Sequence, residues 1–531
     1  METTIKSRFG GYFMERPKLN HFHNYQEITE YLFAAQKAYP EQMKLESLAK
    51  TSEGRDIWCV TLSSGDNADS KPAFYVQGGL HAQEGMGITC SLNFLWTLLE
   101  ENPKILDDIT VYILPCVNPD GSDMCVNTGF AIRSKMELQQ GVENGVIPQD
   151  MDGDGKILFM RWEDPNGYYV QLPECGNLMV PRRAGDKGPF YSMITEGVVE
   201  NYNGGKLRHG FRDLDFNRQY AVNWKDNPNG GDFPGNHTEP STIMRFLANH
   251  SNIFMMMDVH CGTRALIYSV PSNLQDARFF KNLAAIGSKI TGIEAIPGTR
   301  YGKPTDAPSG MTLGTARDYC NDALGIPTLT VELGNGYNSL GMTASEIFNG
   351  KLYERELISQ IVAMHQAKGK TVGYPWKKIN HPQLGEVEVG GRDYHDAYFM
   401  DPDDMLQLIP KVADFFLEVI KMVPALSFTH VTCQQVSEDI YRIRAGIVNN
   451  GALYTRILYG ATGYHGTRDN IDFKLTGTSE ILSCCGAESL KGLEPTDTAS
   501  AEWFVRAKAG DKLTVKATFP KAIDAVAEII I

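Results

Sequence analysis

The sequence predicts an α/β domain with a mixed, mostly parallel central sheet flanked by helices, followed by a smaller all-β sandwich domain. Short apolar runs alternate with helical stretches over the larger, N-terminal part of the chain, a pattern typical of parallel strands. After residue 424, apolar and polar residues alternate between turn residues, as in an antiparallel sandwich. A chain of 531 residues also exceeds the size of one hydrophobic core, so we expect two domains, residues 1–423 and 424–531.

The individual elements follow from the same periodicities. The first helix is predicted over residues 25–39, where Ile28, Leu32 and Ala35 lie on one apolar stripe. The other predicted helices span residues 88–100, 242–249, 353–366 and 409–422. Strands of the central sheet are predicted at residues 57–62, 73–77, 110–117, 253–259 and 328–331. Strands of the sandwich are predicted at residues 427–436, 440–448, 452–460 and 512–519.

Two regions lack a clear periodicity. Residues 122–218 are rich in Gly, Pro and Asp, so we expect irregular structure there, either functional or inserted. The sequence that follows residue 366 is also expected to be rich in loops.

Composition excludes several classes of partner and compartment. A formal net charge of −14 argues against nucleic acid and anionic membranes as partners. The ten cysteines contain no C-x-x-C pair, which predicts free thiols rather than a structural zinc ribbon. Residues 1–17 contain no apolar core of a signal peptide, and no long apolar run occurs elsewhere. We therefore expect a cytoplasmic protein, although a chain from which a signal had been trimmed would look the same.

Three residues at the ends of predicted strands suggest a metal site. The strand at 73–77 is followed by Gly-Gly-Leu and then by His81 and Glu84, and the strand at 253–259 is followed by His260. Ligands bind beyond the carboxyl ends of parallel strands, so these side chains are expected to meet at one edge of the sheet. Two histidines and a glutamate suit a catalytic Zn²⁺, which keeps one position open for water.

Glu332 is the candidate for the base that such a site needs. Zinc would lower the pKa of its bound water towards about 7, and a nearby carboxylate would accept the proton. Glu332 closes the predicted strand at 328–331, and a charged residue at the end of an apolar run is rarely there for packing. A buried salt bridge is the alternative explanation.

Together these segments resemble the zinc carboxypeptidase family of the carboxypeptidase A and B type. Five short motifs occur in that family's order, and the resemblance covers roughly residues 25–366. The motifs are His-Ala-Gln-Glu at 81–84, Asn-Pro-Asp-Gly at 118–121, Asp-Phe-Asn-Arg at 215–218, Asp-Val-His at 258–260 and Val-Glu-Leu at 331–333. The resemblance extends to Ser-Glu-Gly-Arg at 52–55.

The resemblance implies a metallocarboxypeptidase that releases the C-terminal residue of a peptide. In that family's pattern, His81, Glu84 and His260 would be the zinc ligands. Glu332 would activate the water and then return the proton to the leaving amine.

The resemblance also implies residues that bind the substrate. Asn217 and Arg218 match the pair that grips the free C-terminal carboxylate, which a guanidinium can bind with two hydrogen bonds. Arg133 is the candidate for stabilising the carbonyl oxyanion, with Arg161 as a rival. A solvated surface charge is the alternative for Arg133.

The sequence departs from the family's pattern at several positions. Gln83 stands where the family usually has arginine, and Cys261 follows His260 where a small residue is usual. The position of the substrate-capping tyrosine falls near Gly310; Tyr301 is the nearest tyrosine upstream, and we do not assign it. Arg317 matches the position that lines the side-chain pocket, which favours an acidic C-terminal residue.

Other polar motifs fit less well. Asp150, Asp152 and Asp154 have the spacing of a Ca²⁺ loop, but Arg161 occupies the position of the expected glutamate, so an acidic turn is preferred. No metal-ligand partner is recognisable for the histidines elsewhere: His21, His23, His209 and His237.

Two other functions are compatible with the same residues. One is a zinc amidohydrolase (deacylase) acting on a small acylated amino acid or a cell-wall peptide. The other is an inactive binding protein on a peptidase scaffold, with the sandwich as its working surface. The substrate is thus expected to be a peptide or an acylated amino acid, and the oligomeric state is left open.

Overall fold

The structure is a computed structural model that describes residues 14–224, 229–271, 273–298, 314–347, 355–394, 400–455, 457, 471–477, 480–485 and 493–531. Its largest element is an eight-stranded mixed sheet, called the large sheet below. Four of its seven strand pairings are parallel, which confirms the predicted class. The strands across the sheet are Met43–Lys50, Asp56–Leu62, Thr110–Leu114, Ala73–Gly78, Ile253–His260, Thr328–Leu333, Arg264–Tyr268 and Glu294–Pro297.

Helices cover both faces of the large sheet. Side chains alternate along a strand, so Phe74 packs into one apolar cluster while Tyr75 packs into the other. The helices are Tyr25–Ala38, Gly85–Trp96, Pro119–Thr128, Thr238–Asn249, Leu274–Thr291, Arg355–Ala367 and Met405–Lys421, with short ones at Ala316–Asp318, Gly336–Ser339 and Ala344–Glu346. All five predicted helices are confirmed where the chain is described, with ends shifted by a few residues.

Single-turn segments and π-helical turns complete the large domain. Two π-helical turns continue α-helices: Thr97–Glu101 follows Gly85–Trp96, and Tyr319–Leu324 follows the short Ala316–Asp318. The 3₁₀ segments are Ala68–Ser70, Pro103–Asp107, Phe216–Arg218 and Pro402–Asp404. The segment Phe216–Arg218 matters most, because it carries two of the predicted substrate-binding residues.

Two glycines bring the end of a central strand against the following helix. A Cβ atom on Gly78 would lie 2.4 Å from the carbonyl oxygen of Gly87, inside the helix Gly85–Trp96. Gly79 has a positive φ of 65°, a conformation that glycine adopts without strain. The chain can therefore turn sharply from the strand into the segment that carries His81 and Glu84.

The expectation of irregular structure over residues 122–218 is wrong. This region supplies most of a second, antiparallel sheet, here called the insertion sheet: Tyr374–His381, Gly385–Gly391, Phe159–Glu163, Tyr191–Thr195, Tyr169–Leu172 and Cys175–Pro181. Smaller pairings join Gly197–Glu200, Gly145–Pro148 and Arg208–His209, and also Phe211–Leu214 and Lys135–Leu138. Most of these strands have four or five residues, too few to reveal a period of two between glycines and prolines.

The loop-rich expectation after residue 366 is corrected in the same way. Tyr374–His381 and Gly385–Gly391 form a hairpin, and the second strand pairs with Phe159–Glu163 of the insertion sheet. One sheet therefore contains segments that lie more than 200 residues apart in the chain, as the contact between Arg161 and Glu388 shows. Local sequence patterns cannot predict such a pairing.

The predicted sandwich is confirmed at the C-terminal end. One antiparallel sheet contains Leu426–Gln435, Ile440–Asn449, Thr498–Arg506 and Glu480–Cys485. The other contains Asp472–Gly477, Lys512–Thr518 and Ala525–Ile530. The strand predicted at 452–460 is wrong over its described part, since residues 452–455 and 457 are not in a strand. The domain boundary at residue 424 stays a prediction.

No helix in the described part of the chain is both long and apolar enough to cross a membrane.

Candidate metal centre and active site

The register of three neighbouring strands creates the candidate site. Ile253–His260 lies between Ala73–Gly78 and Thr328–Leu333 and runs parallel to both. Val259 is opposite Gly78, and His260 is opposite Glu332. Because parallel strands end at the same edge, the polar residues that close these strands are brought together there.

The three predicted ligands converge at that edge. Nδ1 of His81 lies 2.9 Å from Oε1 of Glu84, and Nδ1 of His260 lies 2.9 Å from Oε2 of the same carboxylate. The two Nδ1 atoms are 3.0 Å apart. All three side chains are buried. Two imidazole nitrogens and one carboxylate, gathered out of water around one point, fit the donor set of a catalytic zinc site.

Each histidine has a second carboxylate on its other ring nitrogen. Oδ1 of Asp215 lies 3.2 Å from Nε2 of His81, and Oδ2 of Asp258 lies 3.0 Å from Nε2 of His260. Carboxylates in this position orient a metal-binding imidazole and fix its tautomer. Both aspartates lie within the motifs at 215–218 and 258–260, but the sequence alone indicated no role for either.

A chain of hydrogen bonds leads from Asp258, the carboxylate beside His260, further into the core. The side-chain amide of Gln77 donates a hydrogen bond to Oδ1 of Asp258 at 2.8 Å. The hydroxyl of Tyr75 in turn donates to Oε1 of Gln77 at 2.9 Å. All of these groups are buried. The carboxylate of Asp258 is therefore held towards His260 by neutral groups.

The pKa values of the charged groups at the site depend on one another. Burial alone would raise the pKa of Glu84, but His81 and His260 outweigh it and hold that pKa well below its ordinary value. Burial alone would lower the pKa of His260, but Asp258 and Glu84 raise it well above its ordinary value. Burial would likewise raise the pKa of Asp215, yet Arg133, Arg218 and His81 keep it well below its ordinary range.

The two arginines proposed for the oxyanion have different surroundings. Arg133 lies at the site: its Nη1 donates to Oε1 of Glu84 at 2.8 Å, and its Nε donates to Oδ2 of Asp215 at 3.3 Å. Arg161 belongs to the insertion sheet, where it pairs with Glu388 and stacks between aromatic rings. The geometry thus favours Arg133 over its rival.

One cavity brings together most of the predicted residues. Its lining consists of His81, Arg133, Asn217, Arg218, His260, Ile267, Thr315, Arg317, Thr330 and Glu332. Glu84 is buried behind it. Three guanidinium groups and a carboxylate thus share one small space, which suits a substrate that carries negative charge.

The remaining substrate-binding candidates are held by the backbone around them. Nη1 of Arg218 donates to the carbonyl oxygen of Asn217 at 2.7 Å. Oδ1 of Asn217 accepts the backbone N–H of Ala316 at 2.9 Å. Arg317 is 7% exposed, and its nearest described carboxylate, Asp318, is 3.8 Å away. Nε of Arg317 is buried without a hydrogen-bond partner among the described residues.

The acidic turn at 150–155 is built by its own backbone. Asp150 accepts the N–H groups of Gly153 and Gly155 at 2.7 and 2.9 Å, and Asp152 pairs with Lys377 at 3.1 Å. Glu196, rather than Asp154, lies close to Asp150 and Asp152, and burial raises the pKa of Glu196 to about 7. The preferred interpretation of an acidic turn accounts for these contacts, and the Ca²⁺ assignment gains no support. Gly310 and Tyr301 lie outside the described residues.

Comparisons with known proteins find similarity to zinc carboxypeptidases in the N-terminal part of the chain. Residues 28–153 match the family model described as zinc carboxypeptidase, and residues 425–530 match a domain of unknown function. Metallocarboxypeptidase A of Arthroderma otae is 30% identical over 126 residues, 23% of this chain and 30% of that protein. Carboxypeptidase B of Astacus astacus is 32% identical over 103 residues, 19% and 33% of the two chains.

The chain thus spans about a third of the length of these curated relatives. Among solved structures, carboxypeptidase A from Helicoverpa armigera superposes with a TM-score of 0.43 and 16% identity, over 76% of this chain and 73% of that one.

Proposed function

We propose that this chain, residues 28–153 of which match the zinc carboxypeptidase family model, hydrolyses a peptide bond and releases the C-terminal residue of its substrate. The observation that carries the proposal is the shared, buried edge of the large sheet. There, His81, Glu84 and His260 converge, and Glu332 lies opposite His260.

His81, Glu84 and His260 would hold the zinc ion. A zinc ion with three protein ligands polarises a carbonyl group and lowers the pKa of water. Asp215 and Asp258 would keep the two imidazoles turned towards it. Because these carboxylates lie beside Nε2 of each histidine, Nδ1 remains for the metal.

Glu332 would move the proton. Its carboxylate accepts a proton from the water that attacks the carbonyl carbon, and it then delivers that proton to the nitrogen of the leaving amine. Arg133 supplies positive charge where the carbonyl oxygen becomes negative. Its side chain is 28% exposed, and Glu84 and Asp215 hold the guanidinium at the site.

Arg218 and Asn217 would bind the terminal carboxylate, and Arg317 would set the preferred side chain. Arg317 is buried and its Nε has no hydrogen-bond partner among the described residues, while Asp318 reaches only one edge of its guanidinium at 3.8 Å, so an anionic substrate group would complete its contacts. Arg317 and Arg218 both line the same cavity, which supports this assignment. We therefore propose a preference for peptides that end in an acidic residue.

The test measures release of the last residue from blocked dipeptides that end in Glu, Lys or Phe, together with zinc content. We expect that replacing His81 and His260 removes one bound zinc ion, and that kcat/KM is highest on the peptide that ends in Glu. Arg317→Gln should lower kcat/KM on that peptide by roughly 10–100-fold, the range for a lost charged hydrogen bond, and change the Phe peptide little. Arg442→Gln, in the sandwich, is the matched control.

Other outcomes favour the other functions. Hydrolysis of N-acyl amino acids without hydrolysis of dipeptides would favour the deacylase. A protein that binds no zinc at His81 and His260 would favour the binding scaffold. A preference for Lys would contradict the role proposed for Arg317.

A further inference from the structure

The segment that precedes the first helix gathers a second set of metal-binding side chains. One potential ligand atom each from His21, His23 and Glu27 lies within 4.8 Å of the other two. Nε2 of His21 is 3.0 Å from Oε1 of Glu27 and 3.1 Å from Oε2. The rings of His21 and His23 meet edge to face, with centroids 4.8 Å apart. Glu27 is thus the partner that the sequence did not reveal for these two histidines.

Helix capping explains how Glu27 reaches back to the histidines. Asn24 caps the helix Tyr25–Ala38 and accepts the backbone N–H of Glu27 at 2.9 Å. Oε2 of Glu27 in turn accepts the backbone N–H of Asn24 at 2.9 Å, which completes a capping box. The box turns the carboxylate towards the residues before the helix. A carboxylate retains further lone pairs for other partners, including a cation.

His23 provides the second, independent observation. Its side chain is 9% exposed, and its Nε2 is buried without a hydrogen-bond partner among the described residues. An unpartnered buried ring nitrogen is costly unless something binds it.

From this geometry we propose that His21, His23 and Glu27 bind a second divalent transition-metal ion, of which zinc is the representative. Two imidazoles and one carboxylate are a zinc donor set. His21 and Glu27 are each 42% exposed, so water completes the coordination. This ion exchanges more readily than one bound by His81, Glu84 and His260, which are buried.

The second site adjoins the helix that begins at the catalytic edge. Phe22, between the two histidines, packs against Tyr394 with ring centroids 5.2 Å apart. A Cβ on Gly85 would lie 2.9 Å from the Phe22 ring, and Gly85 directly follows Glu84. The hydroxyl of Thr89 also donates to the carbonyl oxygen of His21 at 2.8 Å. A metal bound by His21, His23 and Glu27 would therefore stiffen a segment that already packs against the helix behind Glu84.

The experiment counts zinc ions in the full chain. Protein stripped with a chelator is titrated with zinc by calorimetry, and bound zinc is counted by native mass spectrometry. We expect two equivalents for the wild type and one for His81→Ala/His260→Ala. That remaining equivalent should disappear when Glu27→Gln and His21→Asn are added.

The variants are chosen to spare the fold. Glutamine at position 27 can still form the capping box but lacks the charge, and His21 is partly exposed, whereas replacing buried His23 would disturb packing. His430→Asn, at an exposed position of the sandwich, is the matched control and should leave both equivalents.

The outcomes separate this proposal from the proposed function. If His81→Ala/His260→Ala binds no zinc, the second site is overturned whatever the activity of the wild type. The second site is also overturned if Glu27→Gln/His21→Asn still binds two equivalents of zinc with unchanged affinity. Loss of one equivalent in that variant, with peptide hydrolysis retained, supports the second site alone.

Discussion

Charged side chains are buried at the edge of the large sheet, whereas most of those in the C-terminal sandwich are exposed or partly exposed, with Lys521 as a buried exception. His81, Glu84 and His260 are each about 2% exposed or less, and each contacts another charged or titratable group. In the sandwich, Arg444 and Arg506 keep about half of their side-chain surface in water although both form ion pairs. Both regions are β-structure with many charges, and only the environment differs.

That difference indicates where chemistry is concentrated. Burying a charge costs several kcal/mol unless partners compensate for it, so a cluster of buried charges that share partners is typical of a functional site. Exposed ion pairs change stability little. The comparison therefore predicts large effects of charge-neutralising substitutions at the sheet edge, intermediate effects at buried pairs elsewhere and small effects in the sandwich.

The largest effect is expected for Glu332→Gln. Removal of a general base typically lowers kcat by about 10²–10⁴-fold. The substitution keeps the shape of the side chain, so zinc content and melting temperature should stay close to those of the wild type. Steady-state kinetics on a blocked dipeptide measures the effect.

Glu528→Gln is the control for this substitution, because it neutralises an exposed glutamate in a strand of the sandwich. It should leave kcat unchanged. A loss of less than tenfold in Glu332→Gln would show that another group moves the proton.

A smaller effect is expected for Asp258→Asn. The variant removes the negative charge beside Nε2 of His260 and loses the acceptor for Gln77. Substitution of such a carboxylate typically weakens metal binding by about 10–100-fold. Competition with a chromophoric chelator measures zinc affinity, and Asp472→Asn on the surface of the sandwich is the control. Equal affinities in the two variants would mean that Asp258 serves packing rather than the metal.

An intermediate effect is expected at Asp401. This residue is buried like the charged groups at the sheet edge, but its partners are partly exposed lysines, which resemble the ion pairs of the sandwich. It has no exposed surface and binds Lys368 and Lys370. Burial would raise the pKa of Asp401, but the two lysines outweigh it and lower that pKa to about 2. A carboxyl group with a lowered pKa stabilises the folded state above its unfolded pKa, and this contribution disappears as the pH falls from about 4 to about 2.

Asp401→Asn should therefore lower the free energy of unfolding by roughly 1–2 kcal/mol at pH 7, which allows for the partial exposure of both lysines. The difference from the wild type should shrink as the pH falls below about 4. Urea denaturation at several pH values measures it. A difference that does not depend on pH would indicate lost packing rather than lost charge.

The sequence was informative where function depends on strand ends and uninformative where it depends on distant partners. The predicted ligands and base each close or follow an apolar run: His81, Glu84, His260 and Glu332. Because neighbouring parallel strands end at the same edge of a sheet, such residues come together there. That His260 lies opposite Glu332 depends on the strand order and register, which only the structure supplied.

Other features had no local signal. The insertion sheet is made of short strands whose partners lie far along the chain, as with Arg161 and Glu388, so periodicity could not reveal it. The role of Asp258 was within reach, since it lies two residues before His260 in a strand and the side chains therefore share one face. Glu27 was also within reach as the N3 residue of a capping box that starts at Asn24.

The smallest effect is expected for Glu502→Gln in the sandwich. Glu502 accepts hydrogen bonds from Arg442 at 2.8 Å and Arg444 at 2.5 Å, and these bonds lower its pKa. The pair nevertheless remains in contact with solvent, since Glu502 is 23% and Arg444 51% exposed, so water and salt screen the attraction. The melting temperature of the variant should match that of the wild type at moderate salt, with any difference confined to low ionic strength. A clear destabilisation that persists at high salt would mean that exposed and buried charges in this protein differ less than their environments suggest.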